Sequence, residues 1–131
     1  MLFRSGAAVS IVVLAAVVER DGAFLLTRRL SGTHLAGTWE FPGGKCEPGE
    51  SHEDCLRREL IEELAVTAEI GAEIFTITHA YPEKTVELHF RACVVHGEPV
   101  PQLGQQMRWV DRKSTRLNSS HMSESRMPSS A

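Results

Sequence analysis

The segment GGKCEPGESHEDCLRRELIEELAV, residues 43–66, decides how the rest of the chain is read. Its first part is rich in glycine and proline and reads as loop. From Ser51 the pattern changes. Ser51 suits an N-cap, Asp54 stands three residues on in a capping-box arrangement, and the chain to about Leu64 reads as a helix. At about 100° per residue, Leu56, Leu60 and Leu64 share one stripe, which should pack on a sheet. Glu59, Glu62 and Glu63 form a second stripe roughly a quarter-turn away. Carboxylates crowded at the border of the core repel one another and raise one another's pKa unless a cation shares them. A hard divalent ion such as Mg2+ takes oxygen ligands and completes its shell with water or phosphate, so a partial carboxylate cage suits it. The competing reading is a solvated acidic face neutralised by Arg57 and Arg58.

Working outward, Ala7 to Val18 reads as a buried strand. The apolar run GAAVSIVVLAAVV is too short to span a bilayer, is β-branched, and is followed by ERDG rather than a cleavage site. RDG reads as a hairpin turn and Ala23 to Arg29 as its partner strand. A short extended piece is expected at Trp39 to Phe41, and strand character runs from Val66 to Tyr81. In Thr85 to Val95 the residues Val86, Leu88, Phe90, Ala92 and Val94 alternate with Glu87, His89 and Arg91. A last strand is expected around Trp109. Strands around one strong helix, with no βαβ repeat, point to an α+β fold with a mixed sheet.

A chain of 131 residues supports one domain. Residues 111–131 differ from the rest. They hold eight serines or threonines and no periodicity, the composition of a disordered polar tail. DRKSTRLNSSH and SRMPSSA also resemble translated read-through of a sequencing adapter. The expected division is therefore a domain at 1–110, ending near Val110, and a non-native tail at 111–131. Residues 1–110 carry 10 basic and 15 acidic groups, a net of −5, which gives no electrostatic reason to bind a nucleic-acid polymer. Cys46, Cys55 and Cys93 are odd in number and lack C-x-x-C spacing, which disfavours a disulfide framework or zinc site and suits a reducing cytoplasm. They read as small hydrophobes. His34, His52, His79, His89 and His96 show no ligand spacing and read as ordinary surface or strand histidines.

The 43–66 segment also matches the pattern G-x5-E-x7-R-E-U-x-E-E-x-G-U, where U is a bulky aliphatic residue. Gly44, Glu50, Arg58, Glu59, Leu60, Glu62, Glu63 and Val66 all fall in register. This is the Nudix box, and the chain resembles the Nudix hydrolase family. LLTRR, LAGTWEFPGGK, HAYPEKTVELHF and GQQMRWV extend the resemblance, over roughly residues 5–110, to the MutT-type branch. One position departs: Ala65 stands where the pattern has glycine, which implies mild strain or a reshaped helix exit.

The resemblance implies a Nudix α/β/α sandwich and hydrolysis of nucleoside triphosphates to monophosphates and pyrophosphate, with Mg2+ or Mn2+ as cofactor. Water attacks a bridging phosphorus. Glu59, Glu62 and Glu63 carry over as metal ligands, with Gly43 in the loop whose backbone approaches the metal. Glu62 or Glu63 also helps activate the water. Arg58 orients the glutamates, Gly44 belongs to the same loop as Gly43, and Glu50 helps fix that loop or the outer metal shell. Further candidates for substrate contact are Arg29, Phe41 and Lys84, each with a plain structural alternative. Trp109 reads as a packing residue. The glutamate this branch often carries before GQ…RWV is replaced by Leu103, with no acid between Pro99 and Val110. The family's C-terminal helix is expected to be missing, its place taken by the tail.

The leading expectation is a cytoplasmic nucleotide-pool sanitiser, similar to 8-oxo-dGTP diphosphatases. Alternatives are a Nudix hydrolase of pyrimidine triphosphates, ADP-ribose or dinucleotides, and a non-catalytic nucleotide-binding module. Neither a membrane nor a nucleic-acid partner is expected. The residues favour neither a monomer nor a homodimer.

Overall fold

Two long strands rich in β-branched residues lie side by side at the centre of the sheet. β1 (Val9–Arg20) and β6 (Lys84–His96) run parallel, paired from Val9↔Lys84 to Val18↔Cys93. β5 (Thr67–Ala80) lies antiparallel along the outer edge of β6. On the other side of β1, β4 (Gly43–Lys45) pairs with Val13 to Ala15. β2 (Ala23–Arg28) carries β3 (Trp39–Glu40) and β7 (Gln106–Asp111). The computed structural model describes residues 9–28 and 37–113. Arg29, His34 and residues 114–131, on which some expectations fall, lie outside the described residues.

The mixed sheet expected from the sequence is present, and the turns that build it are local. Asp21 and Gly22 take positive φ (53° and 79°), the geometry that closes a two-residue hairpin between right-twisted strands. At the far end β7 pairs with β2 through Asp111↔Ala23, and Arg112 N–H donates to Gly22 O.

α1 (His52–Leu64) is the helix the sequence announces. Ser51 Oγ accepts from Asp54 N–H at 3.1 Å, and Glu53 and Asp54 face the positive end of the helix dipole. The Asp54 carboxylate takes Arg57 at 3.2 Å. Leu56, Leu60 and Leu64 are fully buried against Leu14, Ala16, Val18 and Leu25, so the apolar stripe packs as expected. The helix ends at Ala65, which adopts the left-handed conformation (φ 57°) and donates its N–H to Ile61 O. The strain expected there is realised.

The sequence leaves one feature open, and the structure corrects another. In β6 the apolar alternation does not face the helix. His89, Cys93 and Val95 are the buried residues, whereas Val94 is 56% exposed. Phe90 stacks on Phe75 of β5 with centroids 4.5 Å apart. The sheet is apolar on both sides, and among the described residues α1 is the helix that covers one of them. Secondly, Cys46 and Cys55 form a disulfide with Cα atoms 5.3 Å apart, while Cys93 is free and buried. The loop after β4 folds back on the first turns of α1, so cysteines nine residues apart meet without a C-x-x-C motif.

Candidate active site

The Nudix-box residues gather because β4 lies directly beneath α1. Gly43 has φ 151°, and a Cβ there would lie 2.0 Å from Leu14 O; only glycine lets β4 approach β1 this closely. A Cβ on Gly44 would sit 2.5 Å from the Glu59 carboxyl carbon. Gly44 therefore admits the Glu59 carboxylate over bare backbone. Gly43 N–H donates to Glu63 Oε1 at 3.4 Å.

Arg58 organises the remaining acids. Its Nε and one terminal nitrogen fork onto the Glu50 oxygens at 2.7 and 2.9 Å. The other terminal nitrogen reaches Glu59 Oε2 at 3.1 Å and Glu62 Oε1 at 3.3 Å. A further bond to Lys45 O, 3.2 Å, ties the guanidinium to β4. Glu50 in turn accepts from Glu47 N–H at 2.9 Å, which closes the loop. The competing expectation of an acidic face shared with arginines is thus half right: Arg58 stands among the acids, while Arg57 pairs with Asp54.

The electrostatics follow from these contacts. Hydrogen bonds from Arg58, then from Glu47 N–H, hold the Glu50 carboxyl at about 2. Arg58 is held in its charged form, chiefly by Glu50. Glu59 is pushed up, first by burial and further by the Glu62 charge, even though Arg58 opposes the shift. An all-oxygen donor set with one carboxylate kept above its usual range fits a hard divalent cation, which would relieve both burial and repulsion. Glu59, Glu62 and Glu63 are the residues that would hold it.

Beside the acids lies a cleft of about 740 Å3, bordered by Gly43, Gly44, Glu63, Phe41, Trp39 and Leu103. Phe41, expected either to stack on a base or to pack, does border this cleft. Its ring also meets Phe24 and Phe90 edge-on, centroids 6.1 Å apart in both pairs. Lys84 lies elsewhere, its Nζ 5.4 Å from the centre of the Tyr81 ring. Trp109 packs against the core as expected, with Arg20 over its ring.

Other parts of the site were not read from the sequence. Arg28 and Arg108 lie near the Trp39 ring, 5.4 and 4.8 Å from its centroid. The 98–105 loop seals the helix end: Gln102 N–H and Gln105 Nε2 both donate to Glu63 O, at 2.9 and 3.0 Å. Leu103 reaches the cleft on this loop. Two glutamines spaced around a glycine were the available signal, but which carbonyl they cap depends on the fold.

A model of the NUDIX domain family matches residues 13–121. The chain belongs to the Nudix family. The 8-oxo-dGTP diphosphatase of Haemophilus influenzae is 37% identical over 105 residues, 78% of this chain and 76% of that protein. The CTP pyrophosphohydrolase of Escherichia coli is 43% identical over 79 residues, 60% of this chain. That match spans 58% of the length of the E. coli protein. Among solved structures, the E. coli ORF135 protein aligns with a TM-score of 0.74 at 34% identity, covering 86% of this chain and 81% of that one. The MutT NUDIX hydrolase from Burkholderia pseudomallei aligns at 0.68 and 26% identity, covering 77% and 82%. The expected family and the mixed Nudix fold are borne out. Among the described residues of this Nudix chain, no helix is long and apolar enough to cross a membrane.

Proposed function

We propose that this Nudix chain hydrolyses nucleoside triphosphates to a monophosphate and pyrophosphate, with an oxidised purine triphosphate of the 8-oxo-dGTP kind as leading substrate. The catalytic domain is taken as 1–110, with 111–131 outside it. The observation that carries the reading is the Arg58-organised cluster of Glu50, Glu59 and Glu62, with Glu63 opening onto an aromatic-walled cleft. The names of the similar proteins support it. Pyrimidine triphosphates are the second reading, favoured by the 43% identity to the CTP pyrophosphohydrolase.

Bound Mg2+ or Mn2+ supplies charge neutralisation at the phosphate oxygens and a more acidic water. The protein's own residues do the rest. Glu59 and Glu62 are kept in place by Arg58 and supply negative charge at the helix border. Glu63 is the Nudix-box carboxylate that borders the cleft, which Glu40 also lines, and we assign Glu63 the proton of the attacking water. Gly43 leaves the backbone open beside it. Phe41 and Trp39 offer apolar surface for the base.

Pyrophosphate release over 8-oxo-dGTP, dGTP, CTP, dCTP and ADP-ribose, with and without Mg2+, tests the proposal. Metal-dependent turnover of triphosphates is expected. Turnover of ADP-ribose alone refutes the substrate class, and binding without turnover refutes the activity. Changing Glu62→Gln should lower kcat by more than the roughly 10–100-fold that loss of an outer-shell partner costs, with the fold intact by circular dichroism.

A further inference from the structure

A second group of metal-binding side chains lies away from the Nudix acids. His52 in the first turn of α1, Glu73 in β5 and His89 in β6 each bring a ligand atom within 4.8 Å of the other two. His52 stands seven residues before Glu59, the nearest of the Nudix acids that would hold the catalytic ion, about 10 Å along the helix axis, so the two sites are separate.

The convergence is built by the backbone. β5 pairs with β6 through Ile70↔Cys93, Glu73↔Arg91 and Thr76↔His89, with register shifts between Ile70 and Glu73 and between Glu73 and Phe75. A regular strand alternates faces, so Glu73 and Thr76 would otherwise point to opposite sides. The bulges put both on the side of the sheet where His89 lies under the helix.

His89 is held as an oriented ligand. Its side chain is 11% exposed. Nε2 lies 3.0 Å from Glu87 Oε1, and Nδ1 lies 2.7 Å from Glu73 Oε1. A carboxylate on one ring nitrogen fixes the imidazole and leaves the other to the ion. Thr76 Oγ1 donates to the second Glu73 oxygen at 2.6 Å, which orients that carboxylate as well. The His52 and His89 rings have centroids 4.6 Å apart, and neither His52 nitrogen has a hydrogen-bond partner among the described residues. Arg91, the nearby cation of the same strand face, is occupied by Gly71 O and Glu53.

We infer that His52, His89 and Glu73 form a binding site for a first-row divalent transition ion such as Zn2+, with Glu87 and Thr76 as its outer shell. Two imidazoles and one carboxylate are a borderline-soft donor set, which separates this site from the all-oxygen Nudix acids that prefer Mg2+. The ion displaces the contact between His89 Nδ1 and Glu73, and it ties the start of the Nudix helix to β5 and β6.

The test is titration with Co2+, read by its visible absorption bands, and with Zn2+, read by calorimetry. It uses an E59Q/E62Q chain and, as a second measurement, the wild-type chain in excess Mg2+. We expect one equivalent to bind in both, with affinity falling more than about tenfold in H52A and in E73Q. Both of those side chains are partly exposed, so circular dichroism should show a retained fold. Absence of saturable binding in both measurements overturns the site. So does binding undiminished in H52A and E73Q, which would place the ion on other histidines.

Discussion

Arg58 carries more of the site than any other single side chain, and its partners set how the molecule answers pH. Glu50 is held at about 2 by Arg58 and Glu47 N–H. A carboxylate depressed on folding stabilises the fold above its unfolded range, near 4.5, and that contribution disappears as pH falls toward 2. Glu50→Gln should therefore lower Tm at neutral pH, and the two melting curves should converge on acidification through that window. Glu59 has the opposite sign. Burial and Glu62 raise it, so its ionisation opposes folding as pH climbs through the folded value. A divalent ion reverses that cost. Mg2+ should raise Tm at neutral pH, a stabilisation of roughly 2–3 kcal/mol at a hundred times Kd, and the gain should be lost at pH 4 and in E59Q. At this scale the sequence was legible: the spacing of Glu59, Glu62, Glu63 and Arg58 identified the acids and the arginine among them. Which acids Arg58 grips was not, because Glu50 reaches it only when the loop folds back on the helix.

The helix and its exit show how local rules are met and strained. Ser51 and the three leucines behave as their positions require. Ala65 does not, since an L-residue in the left-handed region costs about 1–2 kcal/mol relative to glycine. Ala65→Gly should therefore stabilise the chain by about 1 kcal/mol in urea melts, with unchanged kcat. The loop into the helix carries the Cys46–Cys55 bridge, which closes a short loop around Glu50. Such a closure contributes roughly 2–3 kcal/mol through the unfolded state. Reduction, or Cys46→Ser, should cost about that amount in denaturant melts. Thiol titration of the unreduced, unfolded chain should find Cys93 alone; three thiols would exclude the bridge. The parity and spacing of the cysteines pointed away from a bridge, because spacing along a chain does not report a loop that doubles back.

For the molecule as a whole, the side of the sheet opposite α1 is apolar. Ile74, Phe75, Ile77 and Val94 are about half exposed, beside a depression of about 650 Å3 that Phe24, Phe41 and Phe90 also border. Contiguous apolar surface of this kind drives association. We expect the chain to self-associate as its concentration rises in size-exclusion runs, and Phe75→Glu with Ile77→Lys to suppress it; an unchanged elution volume across concentrations would contradict this. The alternation in β6 identifies a strand but does not assign its apolar face. Periodicity shows that two faces differ, whereas the side that meets the helix is set by pairing with β1 and by the bulges of β5.

What the sequence by itself determined is the set of features governed by neighbours along the chain: the capped helix, its leucine stripe, the acid spacing of the Nudix box and the hairpin at Asp21 and Gly22. Each rests on backbone geometry repeating over a few residues. Only the tertiary structure decided what residues far apart do together. It brought His52, Glu73 and His89 to one point, joined Cys46 to Cys55, laid Gln102 and Gln105 on the Glu63 carbonyl and opened the cleft beside Gly43. Those contacts depend on strand register and loop closure, and neither is written in any short window of the chain.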